Sequence, residues 1–253
     1  MTGRAPATFL GIDLAWGERN QTGLAALGAD GRLVASTSVR TDDEIAAFVD
    51  VHTTATMVAG IDAPLIVPNE TGRRPCEAEV TRLFGRYHAG TYPSNRSMPH
   101  FTPQPRGARL AERFGWSMDP AEAPQPCRQV CIEVYPHAAM VSLFDLPRVL
   151  PYKAKRGRDL TSLKLAYGQL LSHMERALTT LQLGSSMRWS TICEQVGQAA
   201  RKVDLKAVED ELDAIVCAYV AWLWGTDRSQ LVVHGDADVG YIVTPKPPSL
   251  SLA

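Results

Sequence analysis

Residues 9–17 read Phe-Leu-Gly-Ile-Asp-Leu-Ala-Trp-Gly, a short apolar run that a single carboxylate, Asp13, interrupts. The run has the length of a buried strand and is too short to span a bilayer. An aspartate in such a run lies at the end of a sheet, accepts hydrogen bonds or binds a cation, because burying an uncompensated charge is costly. The segment therefore predicts a first strand that ends in a functional carboxylate.

The same arrangement occurs twice more along the chain. Residues 57–61, Met-Val-Ala-Gly-Ile, run into Asp62, and residues 130–132, Val-Cys-Ile, run into Glu133. Each acid directly follows an isoleucine that closes an apolar run. We expect three strands of one sheet to bring these carboxylates to one point.

The composition is that of a globular protein without a strong charge bias. The 253 residues are 45% hydrophobic and 21% charged, which suits one large domain with a sizeable core. The net charge of -1 gives no general attraction to nucleic acid or to an anionic membrane. Any contact with nucleic acid would therefore depend on a local basic patch.

Cysteine usage and hydropathy predict a cytoplasmic protein. The five cysteines are odd in number and form no Cys-x-x-Cys motif, which argues against a disulfide framework and against a zinc site. The amino-terminal residues have no signal-peptide layout, and no stretch is long and apolar enough to span a bilayer. We therefore expect no membrane partner.

Local signals near the amino terminus predict an antiparallel meander followed by a parallel strand. Asp30-Gly31 is a hairpin signal between two apolar runs, and Thr41 with Glu44 fits a capping box for a helix over about 42–51. A further strand then pairs in parallel through this crossover helix. The predicted strands are 7–15, 22–28, 32–39 and the one that ends at Asp62.

Residues 63–127 differ from the rest of the chain because they contain ten of the 17 prolines. Helices are predicted at about 75–88 and 106–116, with loops between them. A long loop-rich segment inside a compact domain is usually functional or mobile. We predict one domain over 1–253 with an insertion at about 63–127.

The remaining residues are predicted to return to the sheet and then to become mainly helical. The last helix carries an apolar stripe that includes Val208, Leu212 and Ile215, and beyond Asp213 its opposite face is apolar too, which indicates burial. Asp210 lies three residues before Asp213, so the two acids share a face. The predicted elements are a strand at 129–135, helices at 137–145, 160–182 and 204–225, and a hairpin from 231–233 and 239–243.

Five short segments occur together in this chain: Gly11-Ile12-Asp13, Gly60-Ile61-Asp62-Ala63-Pro64-Leu65, Glu133-Val134-Tyr135-Pro136, Tyr152-Lys153-Ala154-Lys155 and Asp210-Glu211-Leu212-Asp213-Ala214. The combination resembles a bacterial and archaeal family called domain of unknown function 429, whose members are predicted to be ribonuclease H-like nucleases. The resemblance runs over nearly the whole chain. It implies a mixed α/β sheet, with an antiparallel three-strand meander, further parallel strands and flanking helices.

The resemblance also implies an acidic site that binds a divalent metal ion, Mg²⁺ or Mn²⁺. Two hard cations about 4 Å apart can activate water and stabilise the leaving oxygen of a phosphodiester, and Mg²⁺ prefers carboxylate oxygens. The first-strand acid of such a site corresponds to Asp13, a later strand acid to Asp62 or Glu133, and the helix acids to Asp210 and Asp213. We predict catalytic roles for Asp13, Asp62, Glu133 and Asp213, and metal binding by Asp13, Glu133, Asp210 and Asp213.

Structural roles remain open for four of these acids. Asp13 could be a strand-end aspartate that caps a nearby backbone amide. Glu133 could pair with an arginine such as Arg128, Asp62 could belong to an Asp-Ala-Pro turn, and Asp210 could lie in a solvated first helical turn. Lys153 and Lys155 begin a basic run that is predicted to contact substrate phosphates, although such a run is often a solvated loop.

The leading hypothesis is a metal-dependent hydrolase of phosphodiester bonds that acts on nucleic acid or on a phosphorylated small molecule. Two other classes of protein remain open. An actin-like phosphotransferase or ATPase would combine Asp13 with the turn from Gly17 to Gly23 to cradle phosphate. A non-catalytic domain would keep the fold for binding, and the fold alone does not separate these classes.

Overall fold

The computed structural model describes residues 7–17, 20–122, 125 and 127–248. Residues 18 and 19, within the predicted phosphate-cradling turn from Gly17 to Gly23, lie outside these ranges. None of the helices in the described ranges is long and apolar enough to cross a membrane.

A five-stranded mixed sheet forms the centre of the molecule. Its strands are β1 (Ala7–Asp13), β2 (Thr22–Leu27), β3 (Leu33–Val39), β4 (Thr56–Ile61) and β5 (Gln129–Glu133). They lie in the order β3-β2-β1-β4-β5; β1, β2 and β3 form an antiparallel meander, and β4 and β5 run parallel to β1. This arrangement confirms the predicted mixed α/β sheet and is ribonuclease H-like.

Seven α-helices occur in the described parts of the chain. They are α1 (Asp42–His52), α2 (Pro75–Phe84), α3 (Arg106–Phe114), α4 (Pro136–Leu143), α5 (Leu160–Ala177), α6 (Met187–Gln198) and α7 (Lys202–Thr226). The capping box at α1 is confirmed, because Thr41 Oγ1 accepts from the Glu44 backbone N–H and Glu44 Oε2 accepts from the Thr41 backbone N–H.

The sequence predicts no helix at the position of α6 and places the end of the preceding helix at residue 182, whereas α5 ends at Ala177. The extra turns are two short 3₁₀ segments, Thr179–Leu181 and Leu183–Ser185. Sequence signals for α6 are present, since Ser186 caps its first turn and Trp189, Ile192 and Val196 bury one face at helical spacing. The first residue of α6, Met187, is apolar but exposed, so it does not fit the buried face and the start of the helix is hard to recognise.

The two faces of the sheet are covered by different helices. Helix α7 packs on one face with α5 and α6 behind it, and α1 and α3 pack on the other face, each side with its own buried cluster. Side chains alternate between the faces along each strand, so that Phe9 and Val58 face α7 while Leu10 and Ala59 face α1. This alternation decides which acids at the strand ends can meet α7.

A carboxy-terminal hairpin and the insertion complete the fold. The predicted hairpin is confirmed as β6 (Leu231–Asp236) and β7 (Gly240–Pro245), and a single bridge from Val243 to Val134 joins it to the end of β5. Within the insertion, α2 packs against this hairpin through Val80, Phe84 and Ile242. Helix α3 covers the α1 face of the main sheet.

Candidate functional site

Helix α7 lies directly on the sheet because three adjacent strands carry glycine beneath it. A Cβ atom at Gly11 would lie 1.9 Å from the carbonyl oxygen of Ala214, and one at Gly23 would lie 1.8 Å from the carbonyl oxygen of Asp210. Gly60 approaches the helix backbone in the same way. The close contact of backbone on backbone brings the Asp210–Asp213 turn of α7 to the end of β1.

The repeated Gly-Ile-Asp motif in β1 and β4 has a direct structural explanation. Successive side chains of a strand point to opposite faces. The glycine therefore makes room for α7, the isoleucine packs on the α1 face, and the aspartate points back toward α7. Gly11 pairs with Gly60, Ile12 pairs with Ile61, and the Asp62 backbone N–H donates to the Ile12 carbonyl oxygen.

Three aspartates come together at this edge of the sheet, and we call them the acid cluster: Asp13, Asp62 and Asp213. Asp13 ends β1, Asp62 follows β4, and Asp213 descends from α7. Lys153 lies beside them, with its Nζ 2.6 Å from Asp213 Oδ2. The Tyr152 hydroxyl donates to Asp213 Oδ1 at 2.5 Å, so both oxygens of this carboxylate are contacted.

Burial and mutual repulsion raise the pKa values of two members of the acid cluster. Burial raises the pKa of Asp13 well above its usual value, and the charge of Asp213 raises it further while Lys153 opposes the change. Burial raises the pKa of Asp62 to about 7, again with Lys153 opposing. A cation that took the place of these protons between the carboxylates would therefore be strongly stabilised by their negative charge.

The pKa of Lys153 shifts in the direction that favours its charged form. Burial disfavours its ammonium, but the carboxylates of Asp213, Asp13 and Asp62 outweigh burial and raise the pKa of Lys153 well above its usual value. The pKa of the neighbouring His137 is lowered to about 4, mainly by burial and further by repulsion from the Lys153 ammonium. Lys153 is therefore a fixed positive charge, and His137 is a neutral imidazole at pH 7.

Glu133 lies on the opposite face of the sheet from the acid cluster, so the expectation that all three strand acids meet at one point is wrong. Ile61 pairs with Glu133, whereas Gly60 pairs with Ile132. The Ile-Glu step of β5 is thus displaced by one residue relative to the two Ile-Asp steps. A shift of one residue moves a side chain to the other face of a sheet.

The carboxylate of Glu133 is held by Arg74 from the insertion. Arg74 Nη2 and Nη1 donate to the two Glu133 oxygens at 2.6 and 2.9 Å, and the Leu65 backbone N–H donates to Oε2 at 3.0 Å. Arg74 Nε also donates to Glu77 at 2.9 Å. Because both oxygens are occupied, we assign Glu133 to anchoring the insertion rather than to binding a metal ion.

The structure confirms that Glu133 pairs with an arginine, although not with Arg128, and it corrects the alternative role for Asp210. Arg128 pairs with Glu122, so the arginine partner of Glu133 is Arg74 instead. Asp210 does not lie in a solvated first turn, since α7 begins at Lys202 and Asp210 is only 6% exposed. Lys206 Nζ lies 2.5 Å from Asp210 Oδ1, and Asp210 Oδ2 is buried without a hydrogen-bond partner among the described residues.

The two predicted phosphate-binding lysines lie in different surroundings. Lys153 belongs to the acid cluster, whereas Lys155 is exposed on the loop beyond it. The pairing of Arg74 with Glu133 and the role of the three glycines beneath α7 were not predicted from the sequence. The spacing of Gly11 and Gly60 two residues before an aspartate was the available signal for the glycines, while nothing local in the sequence indicated the pairing of Arg74 with Glu133.

A small cleft opens beside Asp62. Its walls include Trp16, Tyr92 and Tyr135, the Arg74–Glu133 pair also lines it, and its volume is about 60 Å³. That volume holds several water molecules. The cleft therefore gives water access to Asp62 between the main sheet and the insertion.

The carboxylate oxygens at this edge of the sheet fit a divalent ion that completes its coordination shell with water and substrate. Among the residues that the structure describes, no group of three or more His, Cys, Asp or Glu side chains is arranged to hold a metal ion by itself. Mg²⁺, however, usually takes one or two protein carboxylates and completes its shell with water and substrate phosphate. The acid cluster offers such oxygens, and the unpaired Asp210 Oδ2 is a further one on the same face of α7.

Comparison with known proteins identifies a protein family. No curated protein and no solved structure matches the chain. The family model matches residues 11–238, a range that contains every acid and lysine discussed above. The chain therefore belongs to the family described as "Protein of unknown function (DUF429)".

Proposed function

We propose that this protein is a divalent-metal-dependent phosphodiesterase whose reaction centre is the acid cluster. The observation that carries the proposal is the meeting of Asp13, Asp62 and Asp213, delivered by two strands and one helix, around the ammonium of Lys153. Buried carboxylates at such density repel one another and take up protons unless cations compensate them. A divalent ion would compensate the carboxylates, and a phosphate ester would meet the Lys153 ammonium.

The reaction is hydrolysis of a phosphodiester bond. A water oxygen bonds to phosphorus, the bond from phosphorus to the leaving oxygen breaks, and the leaving oxygen takes a proton, giving a phosphate monoester and an alcohol. When bound, Mg²⁺ or Mn²⁺ would make the attacking water more acidic and stabilise the charge on the phosphate. Asp13 would hold the ion together with the unpaired Oδ2 of Asp210.

Asp62 is the best candidate for accepting the proton of the attacking water. Its pKa of about 7 lies near neutral pH, where a general base is most effective, and it borders the cleft through which water enters. Tyr152 keeps Asp213 in position by its hydrogen bond. The Lys153 ammonium would meet the negative oxygens of the substrate.

The substrate class that we propose is nucleic acid or a phosphorylated small molecule. Lys155 and Arg156 are exposed next to Lys153 and would contact phosphates beyond the scissile bond. The net charge of -1 offers no long-range attraction for a large polyanion, so recognition would depend on this local run. All five cysteines are free thiols, which supports a reducing, cytoplasmic setting for the activity.

The test is to titrate Mn²⁺ into the wild-type protein and Asp13→Asn by calorimetry, with labelled DNA and RNA panels incubated in parallel. We expect the variant to lose at least tenfold in Mn²⁺ affinity, about 1.4 kcal/mol, and to lose cleavage. Asp50→Asn is the matched control, because Asp50 is an exposed aspartate on α1. It should behave as the wild type does.

Three other outcomes would change the proposal. Mn²⁺ binding without cleavage of either nucleic acid would direct the search to small phosphorylated substrates. Absence of Mn²⁺ binding to the wild-type protein would contradict the proposal and favour a non-catalytic domain. Tight ATP binding in the same assay would favour a phosphotransferase instead.

A further inference from the structure

Lys153 enters the acid cluster from a loop that is anchored on both sides of it. Tyr152 is fully buried, and its ring packs edge-on against Tyr167 with 5.7 Å between ring centroids. On the other side, Arg158 Nη1 donates to the backbone carbonyl oxygen of Lys153 at 2.6 Å. The ammonium is therefore presented by a fixed backbone, unlike that of Lys155, which stays exposed two residues later.

The ammonium contacts the carboxylate that a second metal ion would need. Lys153 Nζ lies 2.6 Å from Asp213 Oδ2, and Asp213 Oδ1 already accepts from Tyr152. In two-metal phosphodiesterases the two ions lie about 4 Å apart and share the acidic ligands. A lysine that contacts Asp213 would repel a second ion at that distance, while Asp13 and the unpaired Asp210 Oδ2 remain for a first one.

Building on the proposed phosphodiesterase function, we propose that Lys153 takes the place of a second metal ion, so that the site binds a single Mg²⁺ or Mn²⁺. The lysine ammonium supplies the second positive charge to the substrate phosphate. This role is more specific than the phosphate contact that the basic run predicted, because it fixes the number of ions that the protein binds.

The test is the number of Mn²⁺ ions bound per chain, measured by calorimetry and by the electron paramagnetic resonance spectrum of bound Mn²⁺. Wild type should bind one ion. Lys153→Met keeps the length of the side chain and removes its charge, so it should bind the first ion at least about tenfold more tightly and admit a second. Two ions about 4 Å apart give a magnetically coupled spectrum that one ion cannot give.

Two further variants control this measurement. Lys153→Arg keeps the positive charge and should still bind one ion. Lys202→Met removes an exposed lysine at the start of α7 and should match the wild type in both affinity and ion number. Circular dichroism and the melting temperature establish whether each variant is folded.

The outcomes separate this inference from the function on which it rests. Two coupled ions in the wild-type protein would overturn the role of Lys153 and leave the phosphodiesterase proposal intact, even if Lys153→Met fails to fold. A folded Lys153→Met that binds one ion with unchanged affinity would overturn it as well. Absence of Mn²⁺ binding to every variant would contradict the function itself.

Discussion

At the residue scale, Asp62 links the stability of the protein to pH. The pKa of this carboxyl is raised from an ordinary value of 3.8 to about 7, first by burial and then by Asp213 and Glu133, with Lys153 opposing. A raised pKa means that the folded protein binds this proton more tightly than the unfolded chain does. The associated stabilisation is complete below about pH 4 and is lost as the pH rises to about 7.

We therefore predict that Asp62→Asn removes part of the pH dependence of stability. In the presence of a chelator, the melting temperature of the variant minus that of the wild type should increase by a few degrees between pH 5 and pH 8. Scanning calorimetry at four pH values measures this difference. A difference that stays constant with pH would show that Asp62 ionises normally.

Asp13 and Lys153 show why residue identity alone does not define the site. Asp13 is raised in pKa mainly by burial, and the Lys153 ammonium beside it lowers the same pKa. The carboxylates in turn keep Lys153 charged. The pKa of each group thus depends on the other group as well as on burial, and the groups of this site come from positions up to 200 residues apart along the chain.

At the element scale, the contact between α7 and the sheet is the feature on which the acid cluster depends. Gly11 and Gly23 allow the helix backbone to lie against β1 and β2, and Gly60 does the same for β4. The helix then presents Asp213 at the ends of the strands. Any side chain at these glycines would push α7 outward and separate its acids from Asp13.

We expect Gly11→Ala to destabilise the protein by about 3 kcal/mol or more, because its Cβ would lie 1.9 Å from the Ala214 carbonyl oxygen and 2.4 Å from the Ala218 nitrogen. Gly168→Ala is the matched control, since Gly168 is exposed in α5 and no atom lies within 4 Å of an added Cβ. That change should stabilise the protein by roughly 0.5–1 kcal/mol. Urea unfolding measures both, and an unchanged midpoint for Gly11→Ala would contradict the close packing.

At the scale of the whole molecule, the insertion is joined to the sheet by a buried group of charges. Arg74, 1% exposed, lies between Glu77 on its own helix and Glu133 at the end of β5. Glu77 also accepts from the Ser94 backbone N–H, so the same group holds the loop that carries Tyr92. The wall of the cleft therefore depends on this pairing.

Arg74→Met should destabilise the protein by about 3–5 kcal/mol, because it leaves two buried carboxylates without a positive charge. Arg96→Met is the control within the same insertion, because Arg96 is 45% exposed and lies 3.7 Å from the exposed Glu70. Its effect should stay within about 0.5 kcal/mol. Urea unfolding together with limited proteolysis of residues 66–105 measures both, and equal stability of the two variants would contradict the anchoring role of Arg74.

Much of the fold could be predicted from local sequence signals. The meander, the capped helix α1, the buried α7 and the final hairpin depend on hydrophobic spacing, capping residues and turn chemistry within a few positions of each element. Helix α6 was missed because its first residue is an exposed methionine. The end of α5 was placed too late because the 3₁₀ turns that follow it, around Leu181 and Leu183, keep apolar residues at nearly helical spacing.

Local spacing in the sequence is enough to indicate that acids end three apolar runs and that α7 carries Asp213 into the interior, because hydrophobic periodicity reports burial. Which acids meet depends on the tertiary structure. Strand register depends on hydrogen bonds between distant segments, and a displacement of one residue in β5 placed Glu133 on the opposite face, against Arg74. The arrival of Lys153 beside Asp213 likewise depends on a loop anchored by Tyr152, a packing contact that no local pattern encodes.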